Sequence, residues 1–305
     1  KRGKEFVGLS PFKTEKTPSF TVNDEKGFYH CFSTSEHGNI FDFIMKTENL
    51  KFGETVRKLA LEAGMQVYKF TKYDEEREKK WKIYSEILEE YSSLANQKLL
   101  SGKFVKANDY LKKRNIKKEE IIFFKIGYVE FENNFYDKLK NKFSNKEIIE
   151  TGLFFLNEKN QKYVERFKGR IIFPIKNISG SVIGFGGRVM DSKDQPKYLN
   201  TSDTPVFQKG KELYGLFEAS KERRGLSNIF VVEGYMDVVA MSERGMNNAV
   251  ATLGIATNRF HTQKILQLVK EVIFCFDGDE AGRGAAWGAL KNVLPVVNDG
   301  VEIKF

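Results

Sequence analysis

Two short apolar runs that each end in carboxylates constrain this chain more than any other feature. Ile229-Phe-Val-Val passes directly into Glu233-Gly-Tyr-Met-Asp237, and Val272-Ile-Phe-Cys-Phe passes into Asp277-Gly-Asp279. Runs this short, rich in β-branched and aromatic residues, read as strands buried on both faces, the habit of parallel sheets covered by helices. Helical spacing fills the gaps: the pattern predicts helices over 235–244, 258–270 and 281–293, with a further strand over 248–252. Alternating strand and helix implies a parallel α/β sheet with right-handed crossovers. Parallel strands end at one edge, so Glu233, Asp277 and Asp279 are expected together on the carboxyl side of the sheet, where open α/β sheets bind ligands. Crowded carboxylates need a cation. Hard oxygen donors suit Mg²⁺ or Mn²⁺, and such ions commonly serve substrate phosphates, so the pattern points to phosphoryl chemistry. The bland alternative is that each acid only caps a turn or helix. It accounts well for one strand tip and poorly for two that carry Glu-Gly and Asp-Gly-Asp turns in one sheet.

A chain of 305 residues has room for about two domains with real cores. Its 50 basic and 41 acidic side chains leave a net charge of +9, which favours polyanionic partners on average. No apolar run approaches the roughly 18 to 20 residues of a membrane span, and no signal-peptide pattern opens the chain, so no membrane partner is expected. Two cysteines, Cys31 and Cys275, exclude a disulfide framework and fit a reducing compartment, with the cytoplasm as the expected location. Cys275, inside an apolar run, is expected to be a core thiol. The start at Lys1 without a methionine, and the end at Phe305 inside a strand-like run, suggest part of a longer protein.

Residues 1–45 read as short β segments, Phe6 to Leu9, Pro18 to Val22 and Gly27 to Phe32, with a turn at Asn23-Asp24. Helical spacing follows over 40–45 and 53–63 and stops at Gly64. This block resembles the amino-terminal zinc-ribbon module of bacterial DnaG-type DNA primases, in which Cys-Pro-Phe-His and Cys-Phe-Gly-Cys segments bracket Glu-Lys-Thr-Pro-Ser-Phe. The bracketed motif stands intact as Glu15-Lys-Thr-Pro-Ser-Phe20. Ser10, Lys13, Cys31 and Thr34 occupy the four ligand positions, so three of them lack a soft donor. Structural zinc wants four Cys or His ligands, and His30 and His37 do not restore the spacing; zinc is not expected. The ribbon is expected to keep its fold by hairpin packing, with Cys31 a small, partly buried residue.

From Phe70 to about Gly102 a charged linker runs into an amphipathic helix, with Trp81, Ile83, Tyr84, Ile87, Leu88, Tyr91 and Leu94 at helical intervals as core. Ala107 to Asn115 and then Glu119 to Tyr128 come next, and they match a helix and turn that the primase family also carries. Arg170 to Ile175 and Ser181 to Arg188 then predict a hairpin joined at Asn177-Ile-Ser-Gly180. Gly184, Gly186 and Gly187 are open to two readings, close backbone approach to phosphate or a bulged strand. The series Phe173-Pro, Gly184-Phe-Gly-Gly-Arg188, Pro196-Lys-Tyr-Leu-Asn200 and Lys209-Gly-Lys-Glu-Leu-Tyr-Gly215 matches the polymerase core of DnaG-type primases in order and spacing. By position, the resemblance implies that Arg114, Arg188, Lys197, Tyr198, Asn200 and Lys209 contact nucleotide or template.

The block from 228 is similar to the Toprim domain shared by primases, topoisomerases and some nucleases. In that family a lone Glu and an Asp-x-Asp pair bind catalytic metals, which maps the metal onto Glu233, Asp277 and Asp279, with Asp237 a further family position. A second Asp-x-Asp pair of the family lies beyond the next strand, past Phe305, so the Toprim domain is expected to be incomplete. The resemblance divides the chain into a zinc-ribbon-like module over 1–67, the amino-terminal part of the polymerase core over 75–227, and Toprim over 228–305. The expected fold class is thus α+β and α/β: a small β module, a mixed α/β subdomain and a parallel sheet. What the resemblance implies is synthesis of short RNA primers on single-stranded DNA from ribonucleoside triphosphates with Mg²⁺ or Mn²⁺. It also implies a replicative helicase as partner, reached through a carboxyl-terminal domain outside this chain. The alternatives are a Toprim nuclease or topoisomerase using the same acids, although no nucleophilic tyrosine is marked, and a non-catalytic single-stranded nucleic-acid-binding protein.

Overall fold

The computed structural model describes residues 5–24, 27–65, 72–191, 193–221, 226–297 and 299–305. They form two compact units, Lys1–Glu78 and Lys79–Phe305. The expected module boundary at 67 and the start of the charged linker at Phe70 lie outside the described residues.

In the first unit Phe6–Gly8, Phe20–Asn23, Phe28–Cys31 and Glu36–Asn39 form a four-stranded antiparallel meander in sequence order. The fourth strand was not foreseen, because Glu-His-Gly-Asn has no apolar face to announce it; pairing with Phe28–Cys31 makes it a strand. Phe12, Phe20, Tyr29 and Phe43 pack as a cluster, every pair of ring centroids 5.4 to 6.0 Å apart. Such pairs are worth about 0.5–1.5 kcal/mol each beyond buried area, and Phe43 thereby ties the helix Ile40–Glu48 to the sheet. Asn39 starts that helix by accepting from the amides of Phe41 and Asp42, while Asp42 accepts from the amide of Asn39 at 2.9 Å. A second helix, Phe52–Glu62, follows.

In the second unit the helix stripe is core. Tyr84, Ile87, Leu88 and Tyr91 on the helix Lys72–Leu100 are buried, whereas Trp81 keeps 47% of its surface exposed. The Tyr91 hydroxyl donates at 2.7 Å to Glu165, whose other oxygen accepts from Asn133 at 2.6 Å. Burial raises the Glu165 carboxyl above its ordinary range. The folded state therefore holds that proton more tightly than the unfolded chain, and stability should fall as pH rises through the raised value. Glu165→Gln is expected to flatten that slope in melts followed from about pH 4 to pH 7, the range above the ordinary carboxylate.

Four strands then form an antiparallel sheet in the order Tyr198–Asn200, Val182–Val189, Arg170–Lys176, Gly127–Val129. The glycines of its central strand make room for rings. A Cβ on Gly186 would sit 2.2 Å from Tyr235 and one on Gly187 would sit 2.6 Å from Phe167, so these residues serve aromatic packing inside a buried strand. The third sheet is parallel, in the order Ala249–Ala251, Asn228–Val232, Glu271–Phe274, Glu302–Lys304, with helices Tyr235–Glu243, Arg259–Leu266 and Glu280–Val293 between strands. Ile171 and Phe173 of the antiparallel sheet share one core with Tyr235, Val238 and Leu253, so packing is continuous across residue 228. One expectation is corrected here: Cys275 is exposed, not core. The strand ends at Phe274, and the side chain of Cys275 falls on the loop leading to Asp277, even though its amide still donates to Val231 at 2.9 Å.

Candidate active site

Register brings the acids together. Ile229 pairs with Val272 and Val231 with Phe274, so two parallel strands finish level and release Glu233 and Asp277 at one edge. The Asp277 amide donates to Glu233 Oε1 at 2.9 Å, which links the two tips directly. Asp237 lies one turn into the helix Tyr235–Glu243 and accepts from the Gly234 amide at 2.9 Å. Desolvation raises the Asp237 carboxyl. The Gly234 hydrogen bond opposes this, the charges of Asp277 and Glu233 add to it, and Arg188 opposes it. Asp237, Asp277, Glu233 and Arg188 thus share one electrostatic neighbourhood.

Asp279 is placed differently. It caps the helix Glu280–Val293, its Oδ1 accepting from the Gly282 amide at 2.8 Å. Among the described residues no three His, Cys, Asp or Glu side chains enclose an ion as they stand. The donor set still suits a hard divalent cation, since Glu233, Asp237 and Asp277 offer oxygens alone and their mutual repulsion is what such an ion relieves.

On the basic side, Arg188 is 5% exposed and tightly held. Its Nε donates to the Tyr110 hydroxyl, and its guanidinium lies 4.7 Å from the Tyr198 ring centroid. Arg114 lies over the other partner, 5.2 Å from the centroid of Tyr110, and is itself exposed. The Asn200 amide is taken up internally, accepting from the Tyr235 hydroxyl and donating to the Leu253 carbonyl at 2.8 Å. Lys197 is exposed, and Lys209 is half-buried with its amide donating to Asp203 at 2.9 Å.

Three family models match consecutive parts of the chain: a CHC2 zinc finger over 1–75, the DNA primase catalytic core N-terminal domain over 94–220, and a Toprim domain over 227–305. The DNA primase of Escherichia coli strain K12 is 41% identical over 318 residues, covering 100% of this chain and 53% of that protein. That of Pseudomonas putida is 42% identical over 311 residues, covering 100% of the chain and 47% of the relative. The chain belongs to the DnaG-type DNA primase family. It spans about half the length of those two primases. A DnaG primase catalytic domain bound to single-stranded DNA superposes with a TM-score of 0.68 at 38% identity, over 73% of this chain and 70% of that one. An Aquifex aeolicus primase comprising zinc-binding and RNA polymerase domains superposes with a TM-score of 0.67 at 30% identity, over 99% of this chain and 72% of that one.

Sequence reasoning did not single out three residues of this primase-family site. Tyr110, on the helix Val105–Lys113, anchors Arg188 on the strand Val182–Val189, and nothing local in Asn108-Asp-Tyr-Leu111 marks it. Tyr235 stacks on Phe173 with centroids 5.4 Å apart and an interplanar angle of 11°, which couples the antiparallel sheet to the Toprim helix that carries Asp237. Gly282 packs against the Asp277 backbone. Tyr110→Phe should lower the melting temperature, because the buried Arg188 Nε loses a bond worth about 1.5–3 kcal/mol, and the loosened guanidinium should lower primer synthesis about tenfold. Steady-state primer assays beside melts check this.

Proposed function

We propose that this chain carries the nucleotidyl-transfer site of a DNA primase, which makes short RNA primers on single-stranded DNA from ribonucleoside triphosphates. The hydrogen bond from the Asp277 amide to Glu233, with Asp237 and Arg188 in the same field, carries the reading. Glu233, Asp237 and Asp277 would hold Mg²⁺ or Mn²⁺, with Asp279 of the same turn as a further oxygen donor once released from its capping bond. When bound, the ion supplies Lewis-acid neutralisation of charge on the transferred phosphoryl group and the leaving pyrophosphate.

The protein's own part is positioning and charge. The Asp277 amide fixes one Glu233 oxygen, so the carboxylate presents its other oxygen in a set direction. Arg188, held between Tyr110 and Tyr198, offers a preorganised cation opposite the acids, suited to a triphosphate oxygen as charge builds in the transition state. Lys197, Lys209 and Arg114 are further cations for the triphosphate or the template backbone, a contribution that weakens with salt. A primer's 3′-hydroxyl would attack the α-phosphate, and pyrophosphate would depart. The primase that superposes on this chain with single-stranded DNA bound supports the same template class here. Among the described residues no helix is long and apolar enough to cross a membrane.

The test is incorporation of labelled ribonucleotides on a single-stranded template with Mg²⁺. Template-dependent oligoribonucleotides are expected. Template cleavage without incorporation would instead favour a Toprim nuclease, and a salt-dependent binding shift with no product would favour a binding module.

A further inference from the structure

The match to a CHC2 zinc finger over residues 1–75 implies a metal that the side chains present do not fit. Of the four ligand positions, Ser10 and Thr34 carry hydroxyls, Lys13 is an exposed ammonium, and Cys31 alone offers sulfur. One soft donor with two neutral hydroxyls and a cation cannot make a tetrahedral zinc site.

Two of these residues, Ser10 and Cys31, are instead tied to each other and to Glu15, Ser19 and Ser33. Cys31 is fully buried, and its Sγ lies 3.1 Å from Ser10 Oγ and 3.4 Å from Ser33 Oγ. Ser33 Oγ is 2.7 Å from Ser19 Oγ, and the Ser19 hydroxyl donates to Glu15 at 2.7 Å. Glu15 then closes the ring, since its Oε1 also accepts the backbone amides of Ser10 at 2.8 Å and Ser19 at 3.2 Å. The loop before the second strand and the turn after the third are thereby joined through side chains, beside a backbone bond from the Phe32 amide to the Ser19 carbonyl at 2.9 Å. Burial would push the Cys31 thiol up, but the hydroxyls of Ser10, Ser33 and Thr34 outweigh it and bring it down to about 6. Hydrogen bonds, from the Ser19 hydroxyl above all, hold Glu15 below the ordinary carboxylate range.

We propose that the ribbon module of this chain folds without zinc, with the Glu15–Ser19–Ser33–Cys31–Ser10 hydrogen-bonded ring closing the two knuckles that a metal would otherwise join. A metal concentrates its stabilisation in four strong bonds, whereas this ring spreads it over several bonds worth about 0.5–1.5 kcal/mol each, and somewhat more for those to the Glu15 charge. The module should then be indifferent to chelators.

The experiment uses the full chain and needs no activity. Metal analysis after gel filtration should find well under about 0.1 zinc per chain, and EDTA should leave hydrogen exchange over residues 9–34 unchanged, in contrast to a structural zinc site whose removal unfolds its module. Glu15→Ala should speed exchange of the Ser10 and Ser19 amides about tenfold or more, as expected when hydrogen bonds to a charged acceptor are lost. Ser33→Ala should do so more weakly. About one tightly held zinc per chain, with exchange accelerated by EDTA, would overturn the proposal. Unchanged exchange in Glu15→Ala would overturn the ring as the closing device. Neither result bears on primer synthesis, so the two readings fail separately.

Discussion

Glu233→Ala and Asp277→Ala, made in the full-length protein, are each expected to lower primer synthesis by about 10³-fold or more, because losing a carboxylate of the proposed metal site would forfeit several kcal/mol of transition-state charge stabilisation. Both side chains are exposed at strand tips, so truncation leaves the sheet's core intact and melting temperatures should move little. Binding of labelled single-stranded DNA, followed by anisotropy, should change less than about twofold, since basic residues elsewhere supply the phosphate contacts. The pair tests the metal assignment cleanly. Primer output preserved in Glu233→Ala, at unchanged Mg²⁺, would remove it. Asp279→Ala carries two effects, loss of a helix cap worth about 1 kcal/mol and loss of a nearby carboxylate, so its activity should be read beside its melting curve.

Gly282→Ala should be nearly as damaging, for a reason that involves no charge. A Cβ at this position would lie 2.0 Å from the Asp277 carbonyl oxygen and 2.8 Å from its carbonyl carbon. Both are backbone atoms, so the contact cannot be relieved by a rotamer change, and overpacking of this kind costs about 1–3 kcal/mol. Relief comes by moving the Asp277 loop, which breaks the bond from the Asp277 amide to Glu233. A displacement of about 1 Å at a reacting centre costs on the order of 10²-fold in rate, and primer synthesis should fall by that much. Gly284, two residues on in the same helix, has open space around its Cβ position. Gly284→Ala is therefore the control, expected to keep full activity and to gain up to about 1 kcal/mol from helix propensity. Equal activity in the two variants would show that the loop does not depend on this close approach.

The parallel sheet was legible because its strands are short apolar runs between amphipathic segments, and the acids at their ends are adjacent in sequence to those runs. The same logic exposed the missing zinc ligands, since ligand chemistry is written in residue types at fixed spacing. It misjudged Cys275, where an apolar neighbourhood in sequence gave no sign that the strand stops one residue earlier. It left Gly184, Gly186 and Gly187 undecided, and the rings of Phe207, Tyr235 and Phe167 decided them. The fourth ribbon strand was invisible for want of any apolar alternation.

What the residues determined alone is the inventory: which carboxylates, cations and hydroxyls exist, and which sheet edge or turn each occupies. Only the folded chain decided their partners. Tyr110 reaches Arg188 across 78 residues, Tyr235 reaches Asn200 across 35, and the Asp277 amide reaches Glu233 across 44. Such pairings depend on the register and packing of whole elements, which short-range spacing along a chain does not encode.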